Sequence, residues 1–211
     1  MKLKKMKSKK NIVAKVKIGV LVSGGGTNLQ AIIDACESGI LKGLAEIVVV
    51  ISSRPDAYAL ERAQKHGIHS KPITRRNFDN DASFCAAIAE ELKAHSVDLV
   101  CLAGFVHMIS PEFISRFQGK ILNIHPALLP KYGGKGMYGH HVHNAVIKAR
   151  EKESGATVHW VDEHYDHGDI IIQKKVPVLP DDNCESLAKR VLEAEHKIYP
   201  QAILKVIKEK W

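Results

Sequence analysis

The 211-residue chain has no apolar run long enough to cross a bilayer, and its N-terminus lacks the apolar stretch and small-residue cleavage site of a signal peptide. A cytoplasmic protein is therefore expected, without a membrane partner. Its four cysteines (Cys36, Cys85, Cys101 and Cys184) show no paired spacing, which argues against a disulfide framework or a structural zinc site and leaves them as reduced, small hydrophobes. Aromatic residues make up only 6% of the chain and are not interleaved with basic ones, so a nucleic-acid-binding module is disfavoured. Internal repeats are absent as well.

Positive charge is present, but unevenly. The formal net charge is +8, yet residues 1–10 hold six of the 31 Lys and Arg and no acid; the remainder carries 25 bases against 23 acids, or +2. A disordered basic tail over residues 1–12 and one nearly neutral domain over 13–211, long enough for a sizeable core, are expected.

Within that domain, apolar runs at Val16–Val22, Ala45–Ile51, His69–Ile73 and Leu99–Ala103 alternate with helical patterns at Asn28–Glu37, Ala57–His66 and Asp79–His95. Such alternation predicts an α/β fold with a Rossmann-like, mostly parallel sheet and helices on both faces. The second half adds a short helix after Pro111, a glycine-rich loop from Tyr132 to Gly139 and a helix over Val142–Arg150. Ala156–Val161 and Ile170–Val176 read as an antiparallel C-terminal hairpin, and a last helix from Glu185 is expected to break at Pro200.

Three segments carry chemistry. Asn123 and His125 sit two residues apart in the strand Ile121–His125, so both side chains leave the same face while Leu122 and Ile124 turn to the core. Pro126 ends that strand where a pocket can open. A carboxamide and an imidazole held together in this way can stabilise the oxyanion of a tetrahedral intermediate. The loop Ser23–Asn28, with three consecutive glycines, places backbone N–H groups at a helix start and predicts a phosphate site. It lacks the next glycine of the dinucleotide fingerprint and the lysine of a Walker loop, so a phosphomonoester fits better than NAD or ATP. Asp166 would raise the imidazole pKa if it came near His125, but Asp162, Glu163 and Asp169 stand in the same connection with equal claim. His140, His141 and His143 lack a neighbouring cysteine or carboxylate at ligand spacing, and no metal is expected there.

The segments SGGGTNLQAIIDAC from Ser23, LAGFVHMIS from Leu102, ILNIHPALLPKY from Ile121, GATVHWVDE from Gly155 and EHKIYP from Glu195 resemble those of the folate-dependent phosphoribosylglycinamide formyltransferases of purine synthesis. The resemblance spans nearly all of the chain after the tail. It implies a formyltransferase fold, a catalytic trio of Asn123, His125 and Asp166, and a supporting role for His159. It further implies a ribonucleotide site at Gly26, Thr27, Asn28 and Glu195. A folate site would be lined by Val106, His107, Met108 and Ile109, together with Asn123, Asp162, Glu163, His164 and Tyr165. Both partners are then small molecules, with 10-formyltetrahydrofolate as co-substrate, no metal and no nucleic acid, acting on a monomer or homodimer. Two positions depart from the pattern: the family often has an arginine where His107 stands and another base near Asp81. Arg75 or Arg76 would then have to receive the anionic folate tail.

A formyltetrahydrofolate hydrolase would share the trio but is expected to carry an extra N-terminal domain. A methionyl-tRNA formyltransferase would need an additional C-terminal one. Both are disfavoured by length.

Overall fold

In the computed structural model, which describes residues 14–211, the chain runs through seven strands and six α-helices. The basic tail expected over residues 1–12 lies outside the described residues. The order is β1 (Val16–Val22), α1 (Thr27–Glu37), β2 (Ala45–Ser52), α2 (Tyr58–Lys65), β3 (Ser70–Pro72), α3 (Asp81–Ala94), β4 (Leu99–Leu102), α4 (Pro111–Arg116), β5 (Ile121–His125), α5 (His140–Lys148), β6 (Glu153–Trp160), β7 (Ile170–Pro177) and α6 (Cys184–Lys210). One sheet of order β3-β2-β1-β4-β5-β6-β7 results. Its first five strands are parallel, and β6 pairs antiparallel with both β5 and β7.

Burial on both faces explains why the parallel strands read as nearly continuous apolar runs. In β1, Ile18, Val20 and Val22 pack with Leu29, Ile32 and Ile33 of α1 and with Ile203 of α6. Leu21 turns the other way, toward Phe84, Ile88 and Leu92 of α3 and Phe113 of α4. Helix starts follow local chemistry: Asn80 and Ser83 form a reciprocal capping box at α3, and Asn183 and Ser186 form another at α6. These caps set boundaries within a residue or two of those read from hydrophobic periodicity.

Pro200 does not break the last helix. α6 runs unbroken for 27 residues with Pro200 inside it and buried. The missing N–H weakens one rung of the ladder, but the flanking turns are held by tertiary packing. Tyr199 is fully buried and donates its hydroxyl to the carbonyls of Leu102 (2.9 Å) and Leu122 (3.3 Å), fastening α6 across β4 and β5. Ala202 and Ile203 are likewise wholly buried.

From β1 the chain continues to β2 on one side of the sheet, and β4 lies on the other. At such a switch point the loops leaving the carboxyl ends of neighbouring strands diverge and open a crevice. Here those loops are Ser23–Gly26 after β1 and Ala103–Ile109 after β4.

Candidate active site

Asn123 and His125 emerge from β5 on one side, as the strand period requires, while Leu122 and Ile124 join the core. In the antiparallel register His159 of β6 stands directly opposite Asn123. The Asn123 Nδ2 lies 3.2 Å from His159 Nε2 and 3.4 Å from Asp166 Oδ1. His159 donates from Nδ1 to the carbonyl of Trp160 at 2.7 Å, which leaves Nε2 as the acceptor for Asn123 and fixes the orientation of the carboxamide.

Asp166 resolves the choice that the acidic connection left open. Its Oδ2 lies 3.5 Å from His125 Nδ1 and accepts the Gly134 N–H at 2.9 Å; its Oδ1 lies 3.6 Å from His159 Nε2. Asp162 instead accepts from the backbone N–H of His164, within its own loop. Asp166 adopts a left-handed backbone (φ 53°), as does Tyr132 (φ 57°), whose carbonyl accepts His125 Nε2–H at 2.8 Å. Gly134, at φ +100°, reaches a conformation closed to residues with a side chain and so can aim its N–H at the carboxylate.

Burial pushes the pKa of His125 below its ordinary value; the Asp166 charge and the Tyr132 carbonyl pull the other way without offsetting it. The upward pull expected from a nearby carboxylate is present, but desolvation outweighs it and sets the net direction. For Asp166 burial acts upward, but the neighbouring His159 and His125 rings and the Gly134 N–H together hold it below the usual carboxylate range. A neutral imidazole thus faces a carboxylate.

A cavity of about 550 Å³ surrounds these groups. Toward one end it is walled by Val106, His107, Met108 and Ile109 and by Asp162, Glu163, His164 and Tyr165, so the whole expected folate set lines it together with Asn123. Val106, Met108 and Tyr165 are about half exposed, an apolar mouth suited to a flat aromatic ligand. Burial lowers the His107 pKa. Arg75 is engaged by the Asp81 carboxylate and by the carbonyl of Phe78, and neither Arg75 nor Arg76 lines the cavity.

Toward the other end lie Asn28 and Glu195, joined by an Nδ2–H to Oε2 bond of 2.6 Å. Burial pushes the Glu195 carboxyl up to about 7, against the downward pull of the Asn28 amide. Asn28 Oδ1 is buried without a partner, an acceptor held ready for a donor on a ligand. Gly26 and Thr27 do not line the cavity. Gly26 caps α1 in the left-handed region (φ 69°), and a Cβ there would press on Ala59 at 2.6 Å. No side chain caps the α1 N-terminus, so its first amides remain available to an anion.

Sequence reasoning missed the Tyr132 carbonyl, the Gly134 amide and Lys189, and weighed His143 only as a metal ligand; all lie within or beside the cavity. Backbone donors and acceptors leave no trace in residue type. Lys189, Leu192 and Glu195, however, follow one another at three-residue steps on α6, which was a visible signal. His143 is 5% exposed with Nδ1 unpartnered, and burial lowers its pKa to about 4. Two clusters of metal-ligating type occur among the described residues, His69–Glu91–His95 and Asp162–His164–His167, and neither includes the histidines at 140, 141 and 143. In the first, Lys71 engages the Glu91 carboxylate and the Glu91 carbonyl engages His95 Nδ1.

The formyl transferase family matches residues 16–203. A phosphoribosylglycinamide formyltransferase of Haemophilus influenzae is 47% identical over 187 residues, covering 89% of this chain and 85% of that protein. A trifunctional purine biosynthetic protein of Drosophila melanogaster is 44% identical over 191 residues; the match takes in 90% of this chain and only 14% of that one. Among solved structures, glycinamide ribonucleotide transformylase 1 from Symbiobacterium toebii superposes with a TM-score of 0.87 at 42% identity, covering 93% of this chain and 89% of its own.

Proposed function

Since the chain belongs to the formyl transferase family and is an enzyme of phosphoribosylglycinamide formylation in purine biosynthesis, we propose that Asn123, His125 and Asp166 carry the transfer and that 10-formyltetrahydrofolate is the donor. The observation that carries this reading is convergence. A carboxamide, an imidazole and a carboxylate from two separate segments meet within 3.5 Å contacts in one cavity, between an apolar mouth and a polar, helix-capped end.

The glycinamide amine attacks the formyl carbon, and the carbonyl oxygen takes up negative charge. Asn123 donates to that oxygen through the Nδ2 proton that otherwise makes the longer, 3.4 Å contact with Asp166. His125, neutral at rest because it is buried, gains its proton on Nδ1 as the negative charge develops, since Nε2–H is already committed to Tyr132. The imidazolium and the oxyanion then offset each other among buried side chains, where such charge pairing is stronger than in water. Asp166, held ionised, takes the proton that the amine loses, directly or through water, and passes it to Nδ1 of His125, which carries it as imidazolium and gives it up to the folate nitrogen as that leaves. Collapse of the intermediate breaks the bond to the folate nitrogen, which leaves with a proton. His159 serves by orienting the Asn123 carboxamide. Gly26, Thr27, Asn28 and Glu195 hold the ribonucleotide, the first two through backbone amides. The apolar mouth and the 162–165 loop hold the folate. No helix of the described residues is long and apolar enough to cross a membrane, and the four free cysteines fit a cytoplasmic enzyme, a monomer or homodimer acting on small molecules.

Product analysis tests this reading. Incubated with 10-formyltetrahydrofolate, the protein should consume it only when the ribonucleotide is added, yielding the formylated ribonucleotide in equal amount. Formate release at the same rate without ribonucleotide would make the protein a hydrolase.

A further inference from the structure

Away from the cavity, His69, Glu91 and His95 meet at the other end of the sheet. His69 immediately precedes β3, which runs parallel to β2, and His95 ends α3, the helix that leads on to β4. A crossover helix returns the chain to the amino ends of the strands. The cavity lies at their carboxyl ends, and none of the three residues lines it. The cluster is therefore separate from the proposed transfer.

Its donors suit a transition metal. One ring nitrogen of each histidine and one Glu91 oxygen all lie within 4.8 Å of one another. His69 Nε2 stands 3.3 Å from Glu91 Oε1, and two ligand atoms of one tetrahedral zinc ion, each about 2.0–2.2 Å from it, are roughly 3.3–3.6 Å apart. Glu91 and His95 are four residues apart on α3 and so share one helix face. The Glu91 carbonyl accepts Nδ1–H of His95 at 2.9 Å, which fixes that ring through one nitrogen and leaves Nε2 to ligate, as backbone carbonyls do for metal-bound histidines. Lys71 engages Oε2 of Glu91, while Oε1 is the oxygen turned to the two rings. Burial acts to raise the Glu91 carboxyl, but Lys71 and His69 hold it below its ordinary value, so the oxygen donor is anionic. The His69 and His95 ring centroids are 4.6 Å apart, and the carboxyl end of a 14-residue helix favours a cation. Two imidazoles with one carboxylate select zinc over magnesium or calcium, which prefer all-oxygen shells. We propose that His69, Glu91 and His95 form a zinc site, with water as the fourth ligand, in which one ion ties the edge strand β3 to the end of α3. β3 pairs with β2 alone, over three residues, so this tie would hold the weakest margin of the sheet.

Isothermal titration of the full chain with zinc chloride, and with cobalt(II) as a spectroscopic stand-in, tests the proposal. The wild type should bind one ion per chain at this site, with the intense visible bands of tetrahedral cobalt(II). His69→Asn and His95→Asn should each weaken binding at least about tenfold, since losing even an outer partner of a ligand typically costs that much. A double variant, His164→Asn with His167→Asn, removes the other cluster and should leave this affinity unchanged. At about a hundredfold excess over Kd, zinc should raise the wild-type thermal midpoint by roughly 5–10 °C but not that of His69→Asn. No binding by the wild type, an affinity that neither single variant alters, or a loss confined to the double variant would each overturn the proposal. The His69 side chain is 52% exposed, so His69→Asn is expected to fold, and its midpoint without zinc verifies this.

Discussion

His125 shows how burial and pairing compete at a single side chain. The pairing of His125 with Asn123 was legible, because a strand fixes which residues share a face, whereas the choice of Asp166 over its acidic neighbours came only with the family resemblance. The net direction of the pKa was not, because desolvation depends on what the fold packs around the ring. Glu195 makes the same point from the carboxylate side: read alone in the sequence it is a solvated helix charge, and in the structure it is 8% exposed with a pKa near 7. The consequence has a definite sign. The folded chain keeps a proton on Glu195 between the ordinary carboxyl value of 4.5 and about 7, and unfolding releases it. The stability associated with this group is therefore full below about 4.5 and is lost as pH rises through 7. Buried His143, with its pKa lowered to about 4, acts in the opposite direction over part of the range. The difference between wild type and Glu195→Gln isolates the carboxyl. Thermal midpoints from pH 5 to 8 should show the wild type losing stability relative to the variant as pH rises; parallel curves would show that Glu195 is not buried in this way.

At the level of elements, the alternation of buried strands and amphipathic helices made the sheet readable, including the C-terminal hairpin, since period-two and period-3.6 patterns seldom imitate each other over such lengths. The failure at Pro200 has a physical cause. Local rules score the lost N–H, whereas the helix is decided by Tyr199, Ala202 and Ile203 packing beneath it. Tyr199 carries a testable share of this. Removing its hydroxyl leaves the buried carbonyls of Leu102 and Leu122 each short of one donor, so Tyr199→Phe should cost about 1–2 kcal/mol and lower the thermal midpoint by roughly 2–8 °C. An unchanged midpoint would mean that the hydroxyl is not what fastens α6 to β4 and β5. The glycine loop was visible as a loop, but its function resides in the Tyr132 carbonyl and Gly134 amide, groups that every residue except proline carries alike.

For the whole molecule, the sheet's switch point places the β1 and β4 loops at the carboxyl ends of their strands, and β5 delivers Asn123 and His125 beside them. The antiparallel β6 then sets His159 opposite Asn123, and the β6–β7 connection swings Asp166 back over His125. One cavity thereby joins a polar end at α1 and α6 to an apolar mouth, with the trio between them. That arrangement predicts that the three groups act on the chemical step rather than on assembly of the fold. The most direct test is the single-turnover rate of formyl transfer from 10-formyltetrahydrofolate to phosphoribosylglycinamide for Asn123→Ala, His125→Ala and Asp166→Ala, each verified as folded and saturated with both substrates. Each variant should be slower by about 10² to 10³, as loss of an oxyanion donor or of its electrostatic partner requires. Rates within tenfold of the wild type for all three would contradict the account and move the chemistry away from this trio.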